Sequence, residues 1–235
     1  MKKIILILFV FSISKVSAQH IDAFFAKADV FFKTYVENGK VAYSKINVNQ
    51  VALSELMSLA SNISVSEKNV ETYQAFWINA YNLTVIKGII DNYPIKSPLN
   101  VSGFFDKTIY HLGGKQVTLN AIENELLRGK FEDTRFHFVL VCGAVGCPPL
   151  INSAYLPSTL KSQLESQTKL ALNGNFLKVD AKRKLVEASE IMKWYKEDFT
   201  LKGKTEIDFI NQYRTEKIPS NYKLSYFPYD WNLNK

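Results

Sequence analysis

The sequence predicts a mixed α+β fold, a single domain with a central strand or strands surrounded by helices. Three observations carry that expectation. Apolar residues recur at helical spacing in several segments, most clearly over residues 20–38. The stretch "RFHFVLVC" at 135–142 is short, rich in β-formers and apolar on both faces, as a central strand is. Neither a repeat nor a linker divides the chain, and 47% hydrophobic residues with 16 Phe and 12 Tyr can fill one large core.

From the N-terminus, Lys2 and Lys3 precede an apolar run from Ile4 to Ile13, and Val16-Ser17-Ala18 precede Gln19. This is the form of a secretory leader, residues 1–18, with the domain following at 19–235. The run is short for a membrane span, so no stable span is expected after cleavage. The expected location is periplasmic or secreted. Ile21, Phe24, Phe25, Ala28, Phe31, Phe32 and Tyr35 then make the apolar face of a first helix, which ends at Asn38-Gly39. "KVAYSKI" suits a short extended piece, and a second helix covers about 49–60. A third, about 67–91, is apolar nearly all round from Tyr73 to Ile90, which predicts burial on most sides; Pro94 stops it.

"KTIYHLGGKQVTL" predicts a small hairpin. Asn120 followed by Glu123 matches a capping box for a helix through about Leu127. After the expected strand at 135–142, residues 155–171 suit a helix, and "NFLKVD" with "KRKLVEA" a hairpin. Ser189 can cap "EIMKWYKEDF", "TEIDFINQYR" suits a shorter helix, and the aromatic tail "YKLSYFPYDWNLNK" is expected to pack.

The formal charge is +7, or +4 once Lys2, Lys3 and Lys15 are removed. Without a basic block interleaved with stacking aromatics this is no nucleic-acid signal, and export argues the same way. No cofactor is called for.

The chemistry centres on "LVCGAVGCPPL" at 140–150, which holds both cysteines. Cys142 and Cys147 have four readings. In an oxidising compartment they can close a small disulfide loop, worth about 2 kcal/mol. A strand ending at a glycine-flanked thiol also suits a nucleophile, with loop amides around Gly143 facing an oxyanion. Inert buried thiols are a third reading. A metal clip is the fourth, and a weak one, because CxxxxC lacks further clustered ligands.

A nucleophile needs a base. His20 lies at the processed end. His137 would share a strand face with Val139 and Val141, opposite Cys142, although the curl after Gly143 could return Cys147 toward it. His111 sits in the expected hairpin. Asn79 and Asn82, three apart among bulky apolar neighbours, could orient an imidazole, bind a substrate carbonyl or tie down a loop. Glu123 and Arg128 are either site residues or an ion pair. Asp198 and Asp230 suit caps or turns.

These segments resemble a known family, domain of unknown function number 547. The resemblance rests on "FWINAYNLTV" (76–85), "TLNAIENELLR" (118–128), "RFHFVLVCGAVGCPPL" (135–150), "EIMKWYKEDF" (190–199) and "YDWNLN" (229–234), with the family-like core starting at about residue 75. It carries over Asn79, Tyr81, Asn82, Glu123, Arg128, His137, Cys142, Gly143, Cys147, Pro148, Trp194, Tyr195, Asp230, Trp231 and Asn232 as motif residues. The resemblance implies that Cys142 outweighs Cys147, because plant relatives keep only the earlier cysteine. Asn124 departs from relatives that carry histidine there.

The expected function is a cysteine-dependent hydrolase or acyl-transferase acting on an amide or thioester, on a plan similar to papain-like or transglutaminase-like enzymes. Its substrate would be unidentified and peptide-like. Cys142 or Cys147 would be the nucleophile, His137 or His111 the base, and Asn79 the orienting group. The alternative is a non-catalytic periplasmic binding or scaffold domain in which a Cys142–Cys147 disulfide stiffens the loop.

Overall fold

The structure, a computed structural model, describes residues 20–235, so the expected leader at 1–18 lies outside the described residues. Helix α1 (20–35) buries Phe24, Phe25, Ala28, Phe31 and Phe32, the face its periodicity predicted. A two-residue ladder, β1 (Val36–Glu37) with β2 (Lys40–Val41), turns the chain into α2 (Tyr43–Val48) and α3 (Val51–Asn62). Helix α4 (Val70–Asp91) is the axis of the molecule. From Tyr73 to Ile90 every residue except Lys87 is buried, as its all-round apolar sequence requires.

The hairpin β3 (Tyr110–Leu112) and β4 (Lys115–Val117) turns through Gly113-Gly114, both at positive φ. Helix α5 (119–131) follows. Its N-cap is Thr118, whose hydroxyl accepts from the Ala121 N–H at 3.1 Å, so the expected capping box at Asn120 gives way to a cap two residues earlier. The middle of α5, Ile122–Arg128, is wound as a π-helix.

Helix α6 (Leu160–Asn173) starts later than the sequence suggested. It leads to the antiparallel pair β5 (Leu177–Asp180) and β6 (Leu185–Ser189). Ser189 caps α7 (Glu190–Trp194), as expected, but the predicted single helix breaks at Tyr195 before α8 (Lys196–Phe199). Helix α9 (Glu206–Tyr213), with a Thr205–Asp208 capping box, completes the crossover to β7 (Lys223–Phe227), which joins β6 in parallel. The mixed α+β class is as the sequence predicted, with small sheets beside dominant helices.

The expected central strand at 135–142 does not form. Thr134–Phe138 is a 3₁₀-helix, and the chain beyond it is irregular. This stretch threads between two apolar cores. Phe136 and Val139–Val141 pack with α4, whereas Phe138 and Ala144 pack with the β5–β6–β7 sheet and α9. Its hydrophobicity therefore reflects burial on two sides without strand pairing. The Asn82 side chain supplies the missing ladder. Its Nδ2 donates to the Val139 carbonyl at 2.9 Å, and its Oδ1 accepts from the Val141 N–H at 2.9 Å.

Candidate functional site

The two cores meet at a cavity of about 290 Å³, near the lower end of the range for small-ligand sites, roughly 300–1,000 Å³. Three parts build it. Helix α4 contributes Tyr81, and α5 contributes Asn120, Glu123 and Asn124. The Cys142–Cys147 loop forms one wall. Aromatic side chains from separate parts of the chain form the other: Phe105, Trp194, Tyr195, Tyr229 and Trp231. Trp194 and Trp231 stack at 6.0 Å between ring centroids, and Tyr229 lies 4.7 Å from Trp231.

The loop owes its shape to glycine and to the C-terminus. Gly143 sits at φ +82°, and a Cβ there would lie 2.5 Å from Ile89 Cδ1 on α4. A Cβ on Gly146 would lie 2.7 Å from the Tyr229 ring. The tail runs across the loop. The Val145 N–H donates to Asn232 O at 2.8 Å, the Gly146 N–H to Asp230 O at 2.8 Å, and the Asn234 N–H to Gly143 O at 3.1 Å. The loop amides at 145 and 146 are thus engaged by carbonyls of the tail.

Cys142 and Cys147 are bonded to each other as a disulfide, and neither thiol is free. Their polar neighbour is a phenol. The Tyr229 hydroxyl lies 2.9 Å from Cys142 Sγ and 2.8 Å from Cys147 Sγ. Cys147 Sγ also accepts from the Cys142 backbone N–H at 3.0 Å. Burial, and then the charge of Glu123, pushes the Tyr229 hydroxyl up, so it remains a protonated donor.

The histidines are engaged elsewhere or lie apart. His137 lines the cavity, but its Nε2 meets Asp198 Oδ2 at 2.7 Å, and the same oxygen accepts from Arg128 Nε at 2.8 Å. Burial works against ionisation of Asp198. The hydrogen bonds from His137 and Arg128 outweigh it and hold the carboxyl well below the usual range. An ionised carboxylate only accepts, so His137 Nε2 carries the proton. His111 is exposed on β3 and is not among the cavity residues.

Asn79 and Asn82 face backbone. Asn79 Nδ2 donates to Tyr155 O at 2.7 Å, and its Oδ1 accepts from the Tyr155 N–H at 3.0 Å. This repeats the clamp that Asn82 makes on 139–141. Arg128 stands behind the cavity, bonded to Asn124 and stacked 4.4 Å over the Tyr195 ring.

Glu123 is the charged residue facing inward. Its Oε1 accepts from the Tyr195 hydroxyl at 2.8 Å and its Oε2 from the Tyr81 hydroxyl at 3.2 Å. Burial first, and the Glu123 charge second, raises both phenols, so both stay donors to the carboxylate. Sequence reasoning missed three participants. Asp198 looked like a cap, Tyr229 looked like tail packing, and Phe105 carried no signal. Only the three tyrosines in the motifs, Tyr81, Tyr195 and Tyr229, hinted at a hydroxyl-rich site.

Among the described residues no helix is long and apolar enough to cross a membrane, and no group of three or more His, Cys, Asp or Glu could hold a metal ion. Residues 65–170 match the model of a family described as "Protein of unknown function, DUF547". The matched stretch holds α4, the π-wound helix and the cysteine loop, whereas Trp194, Tyr195, Asp198, Tyr229 and Trp231 lie beyond it. No curated protein and no solved structure matches the chain.

Proposed function

We propose that this chain, similar over residues 65–170 to a family of unknown function, is a binding domain for a small organic cation. The observation that carries the reading is the charge of the cavity wall. Glu123 is the single carboxylate among the lining residues, which include no lysine or arginine, and aromatic rings surround the space it faces. Ring faces and a carboxylate both attract an ammonium group, and they do so more strongly where water is excluded.

The hydrolase reading has weaker support. It needs a free thiol beside a proton-accepting imidazole. Here the sulfurs bond to each other, and their hydrogen-bond partners among the described residues are the Tyr229 hydroxyl and the Cys142 amide, with no imidazole beside them. The binding reading uses the groups as they stand. Export to a periplasmic or extracellular compartment, part of the same proposal, would keep the disulfide formed.

Calorimetric titration with phenethylammonium and with its uncharged alcohol analogue tests the cation reading. The cation is expected to bind at least about tenfold tighter, the scale of one desolvated charge contact. Glu123→Gln is expected to erase that preference in a protein that still folds, with a lowered melting temperature because one of the two phenols loses its carboxylate acceptor. Equal affinity for the two compounds would defeat the proposal.

A further inference from the structure

The Cys142–Cys147 pair is not sealed in a core. Both cysteines are partly exposed, and both line the cavity. Cys147 also lines a second recess, beside Pro148 and Phe176. A disulfide used only to stiffen a loop has no need to face a ligand cavity, nor to hold hydrogen-bond donors against its sulfurs.

The donors are unequal. Cys147 Sγ receives the Cys142 N–H at 3.0 Å and has the Tyr229 hydroxyl at 2.8 Å. Cys142 Sγ has only the Tyr229 hydroxyl, at 2.9 Å. In thiol–disulfide exchange the sulfur that leaves as thiolate departs faster when its negative charge is stabilised. Hydrogen bonds from a backbone amide and a phenol do that for Cys147.

We propose that the pair is a thiol–disulfide exchange centre, attacked at Cys142 Sγ by a small thiol held in the cavity. The step balances with two equivalents of a low-molecular-weight thiol as reductant. The thiol loses its proton to solvent, and its sulfur forms a bond to Cys142 Sγ. The Cys142–Cys147 bond breaks, and its electron pair leaves on Cys147 Sγ. A second thiol then attacks the bound thiol's sulfur, releasing the small disulfide and the Cys142 thiolate. The protein pair is reduced by two electrons, and two thiols are oxidised to one disulfide. The Tyr229 hydroxyl, which reaches both sulfurs, can serve each thiolate in turn.

This activity does not depend on the cavity preferring cations. It needs only that a small thiol can enter. Folded, oxidised protein is treated briefly with β-mercaptoethanol, quenched with acid, alkylated and mapped by peptide mass spectrometry. The expected intermediate carries mercaptoethanol on Cys142 and the alkyl group on Cys147. The reverse labelling would overturn the direction of attack. A pair that stays oxidised until the protein is unfolded with urea would overturn the exchange centre altogether.

Two variants test the cause. Tyr229→Phe keeps the ring and removes the donor, and is expected to slow reduction about tenfold, the scale of one hydrogen bond to a developing charge. Asn120→Trp, at an exposed position on the cavity wall, is expected to slow reduction by obstructing entry, with an unchanged melting temperature. Wild-type rates in both variants would show that the thiol arrives by another route and would overturn the proposal.

Discussion

Asn82 and Asn79 are short amides with large structural consequences. Each is buried on α4, and each offers a loop one donor and one acceptor, as a neighbouring strand would. Substituting Asn82→Leu fills similar space but orphans the Val139 carbonyl and the Val141 N–H. Two unpaired buried groups cost about 1–3 kcal/mol each, so a loss of roughly 3 kcal/mol is expected in urea unfolding. A loss under about 1 kcal/mol would mean that the loop finds other partners. The spacing of Asn79 and Asn82 was legible in the sequence, as was their burial. Their targets were not, because both loops are distant in sequence and reach α4 only when the cores assemble.

At the scale of elements, two pieces shape the site. The π-wound stretch Ile122–Arg128 carries Glu123 near one end and Arg128 at the other, with Glu123 facing the cavity and Arg128 held behind Tyr195. The C-terminal tail holds the cysteine loop through carbonyls of Asp230 and Asn232 and carries Tyr229 to the sulfurs. Removing residues 229–235 strips those acceptors from the Val145 and Gly146 amides. Hydrogen exchange at these two amides is expected to accelerate ~100-fold or more, as local opening becomes easier, while the β6–β7 ladder keeps its protection. Equal acceleration everywhere would make the tail a general stabiliser instead. The tail's aromatic packing was legible from its composition. Its role as acceptor for the loop was not, because backbone carbonyls carry no sequence signal.

For the whole molecule, ionisable groups that folding shifts predict the pH limits of stability. The Asp198 carboxyl is depressed in the folded state, so its contribution is present above its unfolded value near about 4 and is lost as pH falls through the lower folded value. Asp198→Asn should lower the melting temperature at pH 7. The gap from wild type should close as the solution is acidified below about pH 4. At the alkaline end, burial raises the phenols of Tyr43, Tyr81, Tyr155 and Tyr229. Their contribution is complete below the unfolded value near about 10 and is lost as pH rises toward the folded values. Tyrosinate absorbance from this group should therefore appear together with loss of the helical circular-dichroism signal. Ionisation of these phenols while the helices persist would refute that coupling.

The sequence by itself determined the α+β class, the buried α4, the glycine hairpin, the β5–β6 pair and the cysteine loop. Each follows from local periodicity, turn chemistry or spacing, which neighbours along the chain decide. Tertiary structure alone decided that 135–142 is no strand, that His137 meets Asp198 across 61 residues, and that Tyr229 reaches sulfurs more than 80 residues away. Those outcomes depend on which side chains the packed cores bring within hydrogen-bond range, and hydrophobic pattern records burial without naming the partner.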